Sequence, residues 1–296
     1  MELMSTIAKE LLGDKPNPNT KDLSYYEIYD KYLSEQRSRF THIAEIGVFS
    51  GESLKVLSRY FAKAKILGVD IERQDIDFGG FDNITYAQCD QADGPRLAPI
   101  ADGFSESGFD LVIDDASHIG YYSLKTFNIL FSKLRVGGFY VIEDWGTGYW
   151  DDFPDGSRYQ SYGFANFDGK IPKRLPSHDY GMVGLVKIMV DIVGMGDIRP
   201  GHAEKTKRVS PFEYMHLYHG MAVIKKKCEY SLELEIAQES GPANSAVSSL
   251  ETRNRYLEAE IAAIMSSRSW RMAERMRATG LALRRLWGRT GQPPQR

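Results

Sequence analysis

Only two cysteines, Cys89 and Cys228, occur in 296 residues, and their spacing matches no metal knuckle. That argues against a disulfide framework and a structural zinc site, and points to a reducing cytoplasm. No run reaches the roughly 18 apolar residues that a spanning helix needs. The segment GLVKIMVDIVGMG (184–196) is broken by Lys187 and Asp191, as in an amphipathic helix. The opening residues, MELMSTIAKELLGDKPNPN, hold no apolar core of a signal peptide. An excess of one charge is also missing. The formal net charge is −3, so nothing global suggests a nucleic-acid partner. There is no internal repeat and no GxGxxG turn.

What is present is an alternation of strands and helices. Residues 1–13 read as a short helix ended by Gly13, and Asp22 can cap a second helix over about 23–37. The segments 41–48, 65–71, 83–90, 108–115 and 137–144 read as strands, with helices over 51–61 and 123–134. This pattern predicts an α/β fold, a Rossmann-like, doubly wound, mostly parallel sheet with right-handed crossovers. Residues 145–178 are rich in Gly, Pro and aromatics without a period, as expected of a lid. A helix over 180–194 and a hairpin over 213–227, turning at His219-Gly220, follow. The expected organisation is N-terminal helices (1–38), a catalytic domain (39–228), and a linker with a helical tail (229–296).

Two runs carry the chemistry. FDLVIDDASH (109–118) and GGFYVIEDWGT (138–148) are apolar strands ending in acids. Strand ends of an open parallel sheet are where such folds bind ligands. Asp115, Glu143, Asp144 and His118 would thus share one crevice, and gathered carboxylates repel unless a proton or a hard cation such as Mg²⁺ sits among them. Asp114 and Asp115 could instead cap the following turn, His118 could be a structural hydrogen-bonder, and Asp144 could pair with an arginine such as Arg158.

The first strand ends in a glycine turn, Glu45-Ile46-Gly47-Val48-Phe49-Ser50-Gly51. Such turns let a ligand approach backbone N–H groups. Glu45 would repel a pyrophosphate and welcome a cation, which disfavours a nicotinamide dinucleotide and favours S-adenosylmethionine (SAM). Asp70, ending the second strand, is placed for ribose hydroxyls. Asp90 and Gln91, after the third, would sit near the adenine, and Asp114 would face the cofactor or a loop N–H.

Together, ExGxxxG, CDQAD (89–93), IDDASH (113–118) and GGFYVIEDWGTGYW (137–150) resemble class I SAM-dependent methyltransferases. More narrowly, they resemble the metal-dependent sugar O-methyltransferases of the macrocin and mycinamicin type, with their rhamnosyl O-methyltransferase and cephalosporin hydroxylase-like relatives. The likeness spans roughly residues 40–226. Phe49 stands where the family pattern has a middle glycine. The resemblance implies SAM and Mg²⁺ as cofactors, Asp115, Glu143 and Asp144 on the metal, and His118 as base. A sugar hydroxyl, with acidity near that of water (pKa about 15.7), needs such help. Trp145, Tyr149, Trp150 and Phe153 would stack on sugar rings or pack the lid. Ser177 is placed to cap the helix after it.

Residues 268–289 interleave arginines with Trp270, Leu281, Leu286 and Trp287, as in a helix lying on an anionic membrane face. Leu250, Leu257 and Ile264 form a heptad stripe of only about two heptads, and the basic stretch could instead be solvated or pair with its copy in a homo-oligomer. The expected acceptor is a carbohydrate, free, nucleotide-linked or lipid-linked, in polysaccharide or glycolipid synthesis. Small-molecule natural products, a nicotinamide oxidoreductase and a non-catalytic tether remain alternatives.

Overall fold

The computed structural model describes residues 2–13, 21–72, 76–150, 153–157, 178–198 and 208–229. It divides the chain into two units, 1–236 and 237–296, and the second lies outside the described residues. So do Arg158, Ser177, lid residues 158–177, the heptad stripe and the basic stretch 268–289. Among the described residues no helix is long and apolar enough to cross a membrane.

Apolar β-branched runs form β1 (His42–Ile46), β2 (Lys65–Asp70), β3 (Ile84–Gln88), β4 (Phe109–Asp114) and β5 (Leu134–Glu143), followed by β6 (Phe212–Leu217) and β7 (Met221–Lys226). They make one seven-stranded sheet in the order β3-β2-β1-β4-β5-β7-β6. The first five strands run parallel, and the 212–226 hairpin adds antiparallel at the β5 edge. The order reverses between β1 and β4, so a crevice opens at their carboxyl ends.

Helices cover both faces. On one lie α1 (Met4–Leu12), α2 (Leu23–Leu33) and α3 (Glu52–Tyr60), whose Ile7, Tyr29 and Leu57 pack with Ile43, Ile113 and Val141 of the sheet. On the other lie α4 (Gly94–Phe104), α5 (Gly120–Leu130) and α7 (Gly181–Val193), whose Leu97, Phe127 and Met189 pack with Ala44, Val112 and Tyr140. Helix α1 lacks a side-chain cap of its own; Asp30 of α2 accepts from Met4 N and Ser5 N at 2.6 and 3.0 Å.

The sequence reading runs α2 past its end. It stops at Leu33, and a 3₁₀ turn follows at Arg37–Arg39. The reading also passes over α4, where Pro95 and Pro99 interrupt the helical pattern; Asp93 caps that helix by accepting from Arg96 N. Helix α7 opens at Tyr180 without a side-chain cap of its own. Its amides are served by a buried carboxylate from a one-turn helix, α6 (Pro154–Ser157). Asp155 Oδ2 accepts from Met182 N and from Gly120 N, both at 2.8 Å, and so joins the starts of α7 and α5.

Replacing Asp155 by Ala leaves two buried N–H groups unpaired. Since each such donor costs about 1–3 kcal/mol, a loss of at least about 2 kcal/mol is expected in urea unfolding. An unchanged midpoint would mean that water serves both amides.

Candidate active site at the strand ends

Side chains alternate across a strand, so Asp114 and Asp115 leave β4 toward opposite faces. Asp114 turns to the α5 side. There it is buried and accepts from Gln91 Nε2 at 3.3 Å. Gln91 also donates to Thr126 and accepts from Ser117 N, so its amide ties the third-strand loop to β4 and α5. Asp90 accepts from Ala92 N at 2.8 Å within its own turn.

Asp115 turns to the α2 side, where Glu45 of β1 and Glu143 of β5 also point. Both glutamates are fully buried, with 0% and 1% of their surfaces exposed. Three carboxylates converge there on one ammonium. Lys21 Nζ lies 2.8 Å from Glu143 Oε1, 3.1 Å from Glu45 Oε1 and 3.3 Å from Asp115 Oδ2. Tyr29 of α2 donates to the same Glu143 oxygen, and Ser53 donates to Glu45 Oε2 at 2.8 Å. Glu143 Oε2 is buried with no partner among the described residues.

Asp144 follows with a left-handed backbone, φ 52°, and its Oδ1 accepts from Tyr25 OH at 2.5 Å. His118 shares that φ, and its Nε2 lies 3.7 Å from Asp144 Oδ2 and 4.0 Å from Asp115 Oδ1. Ligand atoms of Asp115, His118 and Asp144 come within 4.8 Å of one another, a grouping able to hold a cation. A bulky residue with positive φ costs free energy and persists where its surroundings enforce it. Buried Thr147 contributes here: its Oγ1 donates to Asp144 O at 2.7 Å and reaches His118 O at 3.5 Å.

The glycine turn closes the other side. A Cβ on Gly47 would sit 2.1 Å from the Asp115 carbonyl oxygen, so only glycine lets the turn approach β4 this closely. Phe49, in place of the family's middle glycine, adopts φ 47°, and its ring is 61% exposed. The backbone thus keeps a glycine-like conformation while the ring points out. Ser50 is exposed, and Gly51, with φ 75°, starts α3. Val48 N and Phe49 N donate to Asp70 Oδ2 at 2.8 and 3.0 Å, so Asp70 holds the turn as well as edging the crevice.

Burial lowers the pKa of His118, so its imidazole is neutral and able to take a proton. Burial raises the pKa of Glu143 and of Asp115; Asp115's charge adds to the rise at Glu143, and Lys21 opposes it at both. Burial disfavours the Lys21 ammonium too, but Glu143, Asp115 and Glu45 outweigh it and keep the charge. Of the expected aromatics, Trp145 is tied to the hairpin by its Nε1 donating to Tyr218 O at 3.0 Å. Phe153 packs near His118, with ring centroids 6.0 Å apart, and Trp150 is half exposed. His178 pairs with Gly148 O at 2.9 Å.

The sequence reading finds Asp115, His118, Glu143 and Asp144 at one crevice end. It misses Lys21, Tyr25, Tyr29, Ser53 and Thr147. The Tyr-rich face of α2 was the one available signal.

No family model matches the chain. It is 32% identical over 211 residues to demethylmacrocin O-methyltransferase of Streptomyces fradiae, covering 67% of this chain and 47% of that protein. It is 28% identical over 212 residues to mycinamicin VI 2''-O-methyltransferase of Micromonospora griseorubida, with the same two coverages. The chain thus spans about half the length of these relatives. The solved MycE methyltransferase from the mycinamycin pathway, in complex with Mg, SAH and mycinamycin VI, aligns with a TM-score of 0.55 at 26% identity, over 79% of this chain and 57% of that one. The fold is that of a class I methyltransferase, and the relatives are O-methyltransferases of the macrocin and mycinamicin type, as the DDASH and IED runs implied.

Burial pushes the Asp114 carboxyl up to about 7 from an ordinary 3.8. The folded state then binds this proton more tightly than the unfolded chain does. That contribution is complete below pH 3.8 and is lost as pH rises through about 7. In EDTA, wild type is therefore expected to lose more stability between about pH 5 and about pH 8 than D114N does. Equal losses in urea unfolding would contradict the assignment.

Proposed function

We propose that this chain is a SAM-dependent, Mg²⁺-assisted O-methyltransferase acting on a sugar hydroxyl. The observation that carries the reading is the meeting of Asp115, His118 and Asp144 beside the Glu45–Gly51 turn, where β1, β4 and β5 end. Relatives whose names specify an olivosyl or a rhamnosyl natural product as substrate support it. MycE complexes holding Mg and SAH support the cofactor choice.

The residues fit these groups. Carboxylate oxygens suit Mg²⁺ better than zinc, and Glu143 Oε2, without a partner among the described residues, is a further oxygen beside the cluster. Asp115 and Asp144 would hold the ion, with Glu143 next to them. Glu45, Gly47, Ser50, Gly51, Asp70 and Asp90 would line the cofactor side. Gln91 and Asp114 would act from behind β4, holding its end in place. When bound, the dication supplies Lewis acidity to the acceptor hydroxyl and SAM supplies the methyl group.

His118 takes the hydroxyl proton at Nε2, which burial keeps unprotonated at neutral pH. The left-handed backbone at His118 and Asp144 aims both side chains at one point. The exposed ring of Trp150 offers a stacking surface for the acceptor's sugar. The relatives favour a natural-product glycoside. The alternative of a surface polysaccharide or glycolipid rests on residues 268–289.

The test is incubation with methyl-labelled SAM and two acceptor panels, rhamnosylated natural products and rhamnose-containing glycans, with and without EDTA. Label is expected in a sugar methyl ether, lost in EDTA and restored by Mg²⁺. H118A should lower turnover about 10²–10⁴-fold while its SAM affinity, read by calorimetry, stays that of wild type. Undiminished turnover in H118A would remove His118 as the base.

A further inference from the structure

Each aspartate of the ion cluster has one oxygen held from outside the strands. Asp115 Oδ2 lies 3.3 Å from Lys21 Nζ, and Asp144 Oδ1 accepts from Tyr25 OH at 2.5 Å. The other oxygen of each faces His118, Asp115 Oδ1 at 4.0 Å and Asp144 Oδ2 at 3.7 Å. Both holding groups come from the segment that caps and opens α2, far in sequence from the strand tips. Both are fixed in place. Lys21 is pinned by Glu45 and Glu143, and its side chain is 5% exposed. Tyr25 lies against the hairpin turn, where a Cβ on Gly220 would come 2.0 Å from its hydroxyl.

We propose that Lys21 and Tyr25 are positioning residues of the ion site: each takes one oxygen of an aspartate and turns the other toward the cation. The proposal rests on the dication reading above. Groups that hold ligands from behind set ligand geometry and are worth about 10–100-fold in metal affinity.

For Lys21 two effects compete. Its charge repels an incoming dication, and its hold keeps Asp115 in place between Glu45 and Glu143. The geometry decides between them. Lys21 Nζ sits on the α2-facing oxygens, 3.3 Å from Asp115 Oδ2 and 2.8 Å from Glu143 Oε1, while Asp115 Oδ1 on the His118 side stays open to the cation. Removing Lys21 takes away the ion-pair partner that holds Asp115 Oδ2 beside the two buried glutamates. Orientation therefore outweighs repulsion, and losing Lys21 weakens ion binding.

The experiment is Mn²⁺ titration of the purified full chain, read by the electron paramagnetic resonance signal of free Mn²⁺, with thermal melting as a check on folding. K21M and Y25F are each expected to bind Mn²⁺ about 10–100-fold more weakly than wild type, and K21R to recover most of the loss. Y25F removes a single oxygen and carries the test if K21M fails to fold. Unchanged or tighter Mn²⁺ binding in folded Y25F and K21M would overturn the proposal. A wild-type chain that binds no Mn²⁺ would instead bring down the ion site itself, and this proposal with it.

Discussion

Four carboxylates at the tips of neighbouring strands repel one another unless protons or cations are set among them. At about 4 Å, two like charges interact by roughly 4 kcal/mol at an effective dielectric near 20. Here Glu45, Asp115 and Glu143 share the ammonium of Lys21, which reaches in from the segment before α2. Much of the surrounding structure follows from that requirement. Helices α1 and α2 must lie on this face for Lys21, Tyr25 and Tyr29 to arrive. Asp30, holding the start of α1, fastens the same pair. On the opposite side of β4, burial makes Asp114 hold its proton more tightly, and the Gln91 amide works against that rise.

Backbone strain collects at the same place. Phe49, His118 and Asp144 are the non-glycine residues with positive φ among those described, and each stands in a loop that leaves a strand end. Thr147 restrains two of them, and Asp155 fixes the amide of Gly120, two residues beyond His118. A side chain aimed by strained backbone has little freedom left to lose when a ligand arrives, which is how a site is prepared for chemistry in advance.

The parallel strands were legible because their apolar, β-branched runs, buried on both faces in β1, β2, β4 and β5, end in charged or glycine-rich turns. The hairpin was legible from His219-Gly220. Helix α4 was not, since two prolines and Asp102-Gly103 break its apolar repeat. The acids of the site could be named, but strand parity was needed to see that Asp114 and Asp115 part company at the end of β4. Gln91 looked like a cofactor contact and instead spends its amide on Asp114, Thr126 and Ser117. Lys21 was invisible, because its bond to Glu143 spans 122 positions and no local pattern encodes such a contact.

The central claim is that the ends of β4 and β5 cradle a hard cation beside a methyl donor held on the β1 turn. Anomalous diffraction from crystals grown with Mn²⁺ and S-adenosylhomocysteine tests it most directly. The account predicts one strong peak within about 2.0–2.6 Å of an oxygen of Asp115 and an oxygen of Asp144, with the sulfur of the cofactor in the adjoining crevice. A peak elsewhere, or the cofactor seated away from the Glu45–Gly51 turn, would contradict it.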